Sequence, residues 1–387
     1  MIKPITLDPA SRRDDSAQGW EKAPRSIGRV VVALSGGVDS AVTAWLLQRR
    51  GYAIQPLFMK NWEEDDRQGY CAAAADLHDA EEVCQRLGLG LRTVNLSSEY
   101  WDRVFTPFLA AYQAGQTPNP DVLCNQEIKF RIFLDHALAL GASHIATGHY
   151  ARVLQNDDGF HLLKGCDHDK DQSYFLHRLD QSQLGRALFP LGELTKPEVR
   201  RLAVGAKLPV HAKKDSTGIC FIGEQPFKRF LGRYLAYAPG AIETLEGDVL
   251  GQHAGLGYYT LGQRRGLGIG GRQGGTGAPW YVIAKDLPRR ALIVAQGHQH
   301  PALYARTLVA QDVHWIPQRR FKFPLRCQAK TRYRQTDQPC EVDTDQNRHY
   351  YRVRFDEPQW APAPGQFVVF YEGAECLGGG MIRTQKW

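Results

Sequence analysis

The residues SGGVDS (Ser35–Ser40) have types and spacing that point to chemistry. They follow the apolar run RVVVAL and precede a helical pattern, so the spacing predicts strand, turn and helix. Gly36 and Gly37 let the backbone reach positive φ, where successive N–H groups converge on an anion. The helix N-terminus adds partial positive charge, and Ser35 and Ser40 offer hydroxyls. The turn lacks the Gly-Lys-Ser/Thr ending of the common nucleotide-binding loop. It therefore suits a pyrophosphate held mainly by backbone rather than a γ-phosphate in transfer. Asp39 is expected to stand free to help place a magnesium ion.

Two cysteines form the second candidate group. Cys124 lies in TPNPDVLCNQEIKF, where Asn119 caps a helix with Pro120 at its first position, or Asp121 is the cap. In either register Cys124 falls near the helix start, where the dipole favours a thiolate. Asp121 is placed to act as acid or base, or to orient a substrate group. Cys220 lies in KKDSTGICFIG, where Lys213 and Lys214 add a positive field and Gly218 loosens the backbone. As lone features both thiols read as small buried hydrophobes. GLGIGG (266–271) fits G-x-G-x-x-G, but the RQGGTGAPW after it cannot open a helix, so it reads as a glycine loop.

These residues need a frame to hold them. Residues 28–225 alternate strand and helix. Nearly continuous apolar strands are expected at 29–34, 52–59, 91–96 and 143–149, with helices near 39–51, 75–87, 99–114 and 121–140. Thr195 and Glu198 predict a capping box for a further helix. The pattern is that of a doubly wound α/β domain with a parallel sheet. Beyond about 225 a short basic helix is expected in PFKRFLGRYL. Glycine, aromatic and β-branched residues dominate from 240 onward. RALIVAQ, PLRCQAKTRYR, HYYRVRF and QFVVFY then alternate like strands of an antiparallel sheet or small barrel. The expected organisation is a mobile N-terminal extension (1–27), a catalytic domain (28–225), a small central domain (226–299) and a C-terminal β-barrel (300–387).

Composition sets the class. The 387 residues are 43% hydrophobic and 23% charged, and no apolar run approaches the ~20 residues of a membrane span. A secretory leader is not expected, and eight scattered cysteines without C-x-x-C fit a cytoplasmic, reducing setting. Residues 1–225 carry 26 basic and 28 acidic side chains, whereas 226–387 carry 22 and 13. That asymmetry fits a polyanion over the second half. Residues 319–334 hold seven basic residues, no acid and three interleaved aromatics, Phe321, Phe323 and Tyr333.

ALSGGVDS resembles the signature of the ATP pyrophosphatase superfamily, whose members cleave ATP to AMP and pyrophosphate while adenylating a substrate oxygen. FMKNWEEDD, TPNPDVLCNQEIKF, ATGHY, KDQSYFL, KDSTGICFIGE and TLGQRRGLGIGG with TRYRQTD resemble, in that order, the tRNA-specific 2-thiouridylases. The resemblance implies an ATP site at Ala33, Leu34, Ser35, Gly36, Gly37, Val38, Asp39, Ser40, Met59 and Gly148. It implies that Asn119, Pro120 and Asp121 face the target base, and that Lys170, Asp171, Gln172, Arg332 and Tyr333 touch tRNA at its anticodon loop.

It further implies ATP with Mg2+, a persulfide on Cys220 supplied by a sulfur-relay protein, and Cys124 as the resolving thiol. Resolution would proceed by a Cys124–Cys220 disulfide or through released sulfide. Two other classes are weighed beside this reading. A small-molecule synthetase would not need the basic half or both thiols, and a non-catalytic RNA binder would tolerate their loss.

Overall fold

The computed structural model describes residues 28–63, 72–215, 227–270 and 277–384. Cys220 and the N-terminal extension lie outside these residues.

The strands are β1 (Val30–Ala33), β2 (Ile54–Lys60), β3 (Arg92–Asn95), β4 (His144–Ala146), β5 (Ala151–Asn156), β6 (Gly159–Lys164) and β7 (Ala187–Leu188). A five-stranded sheet runs in the order β3-β2-β1-β4-β7, with all four neighbouring pairs parallel. All four residues of β1 are buried, as two covered faces require. Val30 and Val32 pack with Val42, Leu46, Val199 and Ala203 on one side. Val31 and Ala33 pack with Tyr100, Phe105, Phe133 and Ile145 on the other. This is the expected doubly wound domain. Strand order reverses beside β1, so a crevice opens at the carboxyl ends of β1 and β4.

The helices follow the expected order. Val38–Arg49 carries Leu46 and Leu47 inward, and Gly51 follows it with φ +82°. After Ala72–Leu87 comes the helical run Ser97–Tyr100, Trp101–Phe105 and Thr106–Gln113, whose middle piece is π-helical. The next run, Pro120–Leu123, Cys124–Ile132 and Phe133–Ala139, widens to π over its central nine residues. Such widening is a frequent feature of functional helices. The helix Lys196–Gly205 begins where expected: Glu198 accepts from the Thr195 N–H (2.7 Å) and hydroxyl (2.8 Å).

A second sheet, ordered β10-β11-β8-β9, is built from β8 (Gly240–Glu243), β9 (Val249–His253), β10 (Trp280–Asp286) and β11 (Ala291–Gln296). The short basic helix lies just before it, at Phe227–Leu231. Leu267 and Ile269 of the glycine loop are buried against this sheet, beside Ile242 and Val294.

The remaining strands are β12 (Tyr304–Trp315), β13 (Leu325–Lys330), β14 (Gln338–Thr344), β15 (Tyr350–Trp360), β16 (Phe367–Glu372) and β17 (Glu375–Thr384). They follow one another in the order β12-β15-β14-β13-β16-β17, and β12 pairs again with β17, which closes a six-stranded barrel. The barrel was expected. Its recruitment of the β5–β6 hairpin was not: β6 pairs with β17 at Leu163↔Glu375 and Leu162↔Cys376. The core under the parallel sheet therefore runs on through Tyr174 to Phe367 and Tyr371 of the barrel. Among the described residues no helix is long and apolar enough to cross a membrane.

Candidate active site

The SGGVDS turn leaves β1 and enters the helix Val38–Arg49 with Gly37 as N-cap. The Ser40 hydroxyl donates to the Gly37 carbonyl (3.0 Å) and accepts from the Ser35 N–H (3.1 Å). Ser35 Oγ lies 3.2 Å from Ser40 Oγ. The two hydroxyls thus brace the turn itself. Gly36 has φ +73°, and a Cβ there would stand 2.2 Å from the Asp76 carbonyl oxygen. Gly148, two residues past β4, closes the opposite wall of the crevice. A Cβ on it would approach the Asp39 carbonyl carbon and Ser40 nitrogen to 3.0 Å. Met59 is buried near the end of β2.

Asp39 is not free, contrary to the sequence expectation. Both its oxygens accept from Lys196 Nζ at 2.8 Å, and one accepts from the Tyr150 hydroxyl at 2.9 Å. The ammonium missing from the turn is thus supplied by a helix 157 residues downstream. Among the described residues no group of three or more His, Cys, Asp or Glu side chains is arranged to hold a metal ion. With both oxygens engaged by Lys196 and Tyr150, Asp39 in this arrangement does not fit a magnesium ligand.

Lys196 also pairs with Asp215 (2.8 Å), which in turn pairs with Lys170 (2.7 Å) and Arg200 (2.8 Å). Burial alone would raise the Asp215 carboxyl, but the hydrogen bonds from Lys170 and Lys196 outweigh it and hold the pKa at about 2. Asp215 stands five positions before Cys220. Lys213 is drawn to Asp76 (2.7 Å), Asp79 and the Gly36 carbonyl (3.1 Å). Its charge is matched by these carboxylates beneath the turn. Lys196, Tyr150 and Asp215 escaped the sequence reading. One signal was available: a lysine at the first position of a capped helix opposes the dipole, which favours acidic groups there.

Cys124 sits at the junction of the first helical turn and the π segment, with Asn119 as N-cap and Pro120 at the first position. The Asn119 side chain makes no cap hydrogen bond. The thiol is fully buried, and burial pushes its pKa up to about 12, against the lowering field of Lys129. The thiolate expected from the helix dipole is thus outweighed by desolvation. The loop ahead of it is held from two sides. Thr117 donates its N–H to the Pro364 carbonyl (2.8 Å), and Gln366 Nε2 donates to the Thr117 carbonyl (2.7 Å). Thr117 Oγ1 lies 2.8 Å from Thr260 Oγ1 of the central region.

Lys170, Asp171, Gln172 and Tyr333 come together, whereas Arg332 turns away from them. The Tyr333 ring packs 4.5 Å from Phe175, and its hydroxyl donates to the Lys170 carbonyl (3.3 Å). Asp171 is buried, accepting from the Gly165 and Ser173 N–H groups (3.1 Å each) and facing Lys330 at 3.6 Å. Gln172 Oε1 accepts from the Tyr150 N–H (3.0 Å). Arg332 lies over the Trp360 ring at 4.6 Å and donates to the Ala361 carbonyl (2.7 Å). The carboxylate of Asp171 and the guanidinium of Arg332 are thus engaged within the protein.

The basic stretch is also less bare than its sequence implies. Arg319 pairs with Glu372 (2.7 Å), Arg326 with Asp356 (2.8 Å) and Lys330 with Asp337 (3.5 Å). Arg320, Lys322 and Arg334 are exposed.

A parallel sheet with an anion-type turn at its switch point, joined to a closed barrel, defines a doubly wound α/β protein with an appended β-barrel. Residues 28–224 match the family domain described as "tRNA methyl transferase HUP domain". Residues 228–296 match its PRC-barrel domain, and 305–382 an aminomethyltransferase beta-barrel domain. The chain is 57% identical over 359 residues to the tRNA-specific 2-thiouridylase MnmA of Shigella flexneri serotype 5b (strain 8401). It is 58% identical over 359 residues to the proteins of that name from Shigella dysenteriae serotype 1 (strain Sd197) and Escherichia coli O1:K1 / APEC. Each match covers 92% of this chain and 97% of the relative. The chain belongs to the tRNA-specific 2-thiouridylase family.

Proposed function

We propose that this protein uses ATP to replace the C2 oxygen of the wobble uridine of tRNA with sulfur. The observation that carries the reading is the crevice beside β1 within a chain of this family. There the turn Ser35–Ser40, Gly148 and the Asp39–Lys196–Asp215–Lys170 chain converge. Neither a small-molecule synthetase nor a non-catalytic RNA binder is favoured by any of these features.

The C2 carbonyl of uracil is a poor electrophile because its oxygen leaves badly. Attack of that oxygen on the α-phosphorus of ATP forms the adenylate and expels pyrophosphate. The backbone N–H groups of Gly36–Ser40 receive the departing anion, with the helix dipole behind them. Lys196 supplies a positive charge beside the same turn. The terminal sulfur of a Cys220 persulfide then attacks C2, and AMP leaves with the former carbonyl oxygen. Cys124, as thiolate, attacks the Cys220 sulfur, which frees 2-thiouridine and leaves a Cys124–Cys220 disulfide. Asn119, Pro120 and Asp121 border the base, and Asp121 handles a proton there. Lys170 and Tyr333 present the tRNA-facing surface. Asp171, Gln172 and Arg332 act by holding that surface in place. The persulfide comes from a donor protein of the sulfur-relay class, in the cytoplasm.

The test combines protein, ATP, magnesium, a sulfur donor and tRNA, with nucleoside mass spectrometry as readout. Formation of 2-thiouridine at the wobble position is expected, with loss in Cys220→Ser. Undiminished sulfur incorporation in that variant, or ATP cleavage equally fast without tRNA, would overturn the scheme.

A further inference from the structure

Cys327 and Cys340 are used nowhere in the chemistry above. They lie on adjacent antiparallel strands, β13 and β14, in direct register. Their sulfur atoms are 3.8 Å apart, and both thiols are free. Directly opposed Cα atoms in an antiparallel pair stand about 4.5 or 5.5 Å apart. Both spacings fall within the roughly 4.4–6.8 Å that a disulfide spans. Closing the bond therefore needs side-chain rotation, with no displacement of the strands.

The two sulfurs differ in access. Cys340 is fully buried, whereas Cys327 is half-buried. The Cys340 thiol is pushed up from its ordinary value, first by the hydrogen bond it shares with Cys327 and then by burial. Cys327 is thus the sulfur a small reagent reaches, and Cys340 the one that follows.

We propose that Cys327 and Cys340 form a reversible disulfide by exchange with a small-molecule disulfide of the oxidised-glutathione class. The Cys327 thiolate attacks the small disulfide, which forms a mixed disulfide and expels one small thiolate. Cys340, losing its proton to that thiolate, attacks Cys327 Sγ and expels the second small thiol. The protein pair loses two electrons and two protons, and one small disulfide becomes two thiols. The bond ties β13 to β14 two residue pairs below the Ala329↔Gln338 pair, at the foot of the turn that carries Arg332 and Tyr333. Oxidation fixes that hairpin without touching Cys124 or Cys220.

The experiment incubates the full-length protein with oxidised or reduced glutathione, blocks free thiols with iodoacetamide and maps tryptic peptides. Cleavage after Arg326, Lys330, Arg334 and Arg348 places the two cysteines on separate peptides, 327–330 and 335–348. The oxidised sample should give these peptides joined to each other, with near-complete loss of their alkylated forms, and added dithiothreitol should restore them. Recovery of both peptides alkylated would overturn the proposal. A stable glutathione adduct on Cys327 beside an alkylated Cys340 would overturn it equally. In Cys340→Ser the adduct should accumulate on Cys327, and in Cys327→Ser residue Cys340 should stay unmodified. An adduct on Cys340 in the second variant would overturn the order of attack.

Discussion

Lys196 is a single ammonium shared by two carboxylates, Asp39 and Asp215, at the edge of the anion-type turn. Removing it leaves Asp39 facing incoming phosphates without its counter-charge, so repulsion replaces attraction. Lys196→Ala should lower kcat/KM for tRNA-dependent ATP cleavage by at least ~10-fold, about 1.4 kcal/mol, with Lys196→Arg recovering part of it. Pyrophosphate release measured against ATP concentration checks this. Cys124 behaves oppositely to an activated thiol in this conformation. With its pKa held up to about 12 by burial, it should be alkylated at pH 8 roughly 10²–10³ times more slowly than an unperturbed thiol. Timed iodoacetamide labelling with peptide mapping reads this directly. Acceleration on adding tRNA and ATP would mark the step at which the thiol is uncovered.

The crevice depends on close backbone approach between elements far apart in sequence. Gly148→Ala places a methyl 3.0 Å from Asp39 and Ser40 and should displace the turn rather than β4. ATP affinity should fall several-fold while stability falls by about 1–3 kcal/mol, and titration and melting measurements separate the two. At this scale the sequence was legible wherever the physics is local. The β1–turn–helix unit, the Thr195–Glu198 box and the alternating strands β11, β13, β15 and β16 were all expected. Thr331–Arg334 was read into a strand, but β13 ends at Lys330 and these residues form the turn beyond it. The π widening was invisible, because the buried Cys124, Asn125 and Ile128 keep a spacing that an α-helix gives equally well. The role of Lys196 was hidden for another reason: its partners Asp39 and Asp215 lie on other segments, and no local rule couples them. The charge of 319–334 misled similarly, since Glu372, Glu375 and Asp356 arrive from other barrel strands.

At the scale of the molecule, the sheet core and the barrel share one continuous apolar interior, and His177 sits inside it. It is fully buried between Tyr174 and Phe367, with Nδ1 donating to the Tyr174 carbonyl (2.7 Å). Burial pushes its pKa down to about 3, against a raising contribution from that hydrogen bond. The unfolded chain binds the proton near 6.5, so the stabilisation is fully present above about 6.5. It is lost as pH falls from there toward 3, by about 1.4 kcal/mol per unit. Denaturant unfolding between pH 7 and 4 should show this slope, and His177→Gln should flatten it even if the variant starts less stable.

The β5–β6 hairpin gives this shared interior a consequence in time. Its outer partner, Glu375, is encoded 212 positions after Leu163. At the usual ~5–20 residues per second of synthesis, the ribosome needs roughly 10–40 s to cover that span. Throughout that interval the nascent chain carries a strand edge and an apolar face with no companion. The order of translation thus sets a window in which that edge and face stay uncovered, and a stalled ribosome late in the message would prolong it.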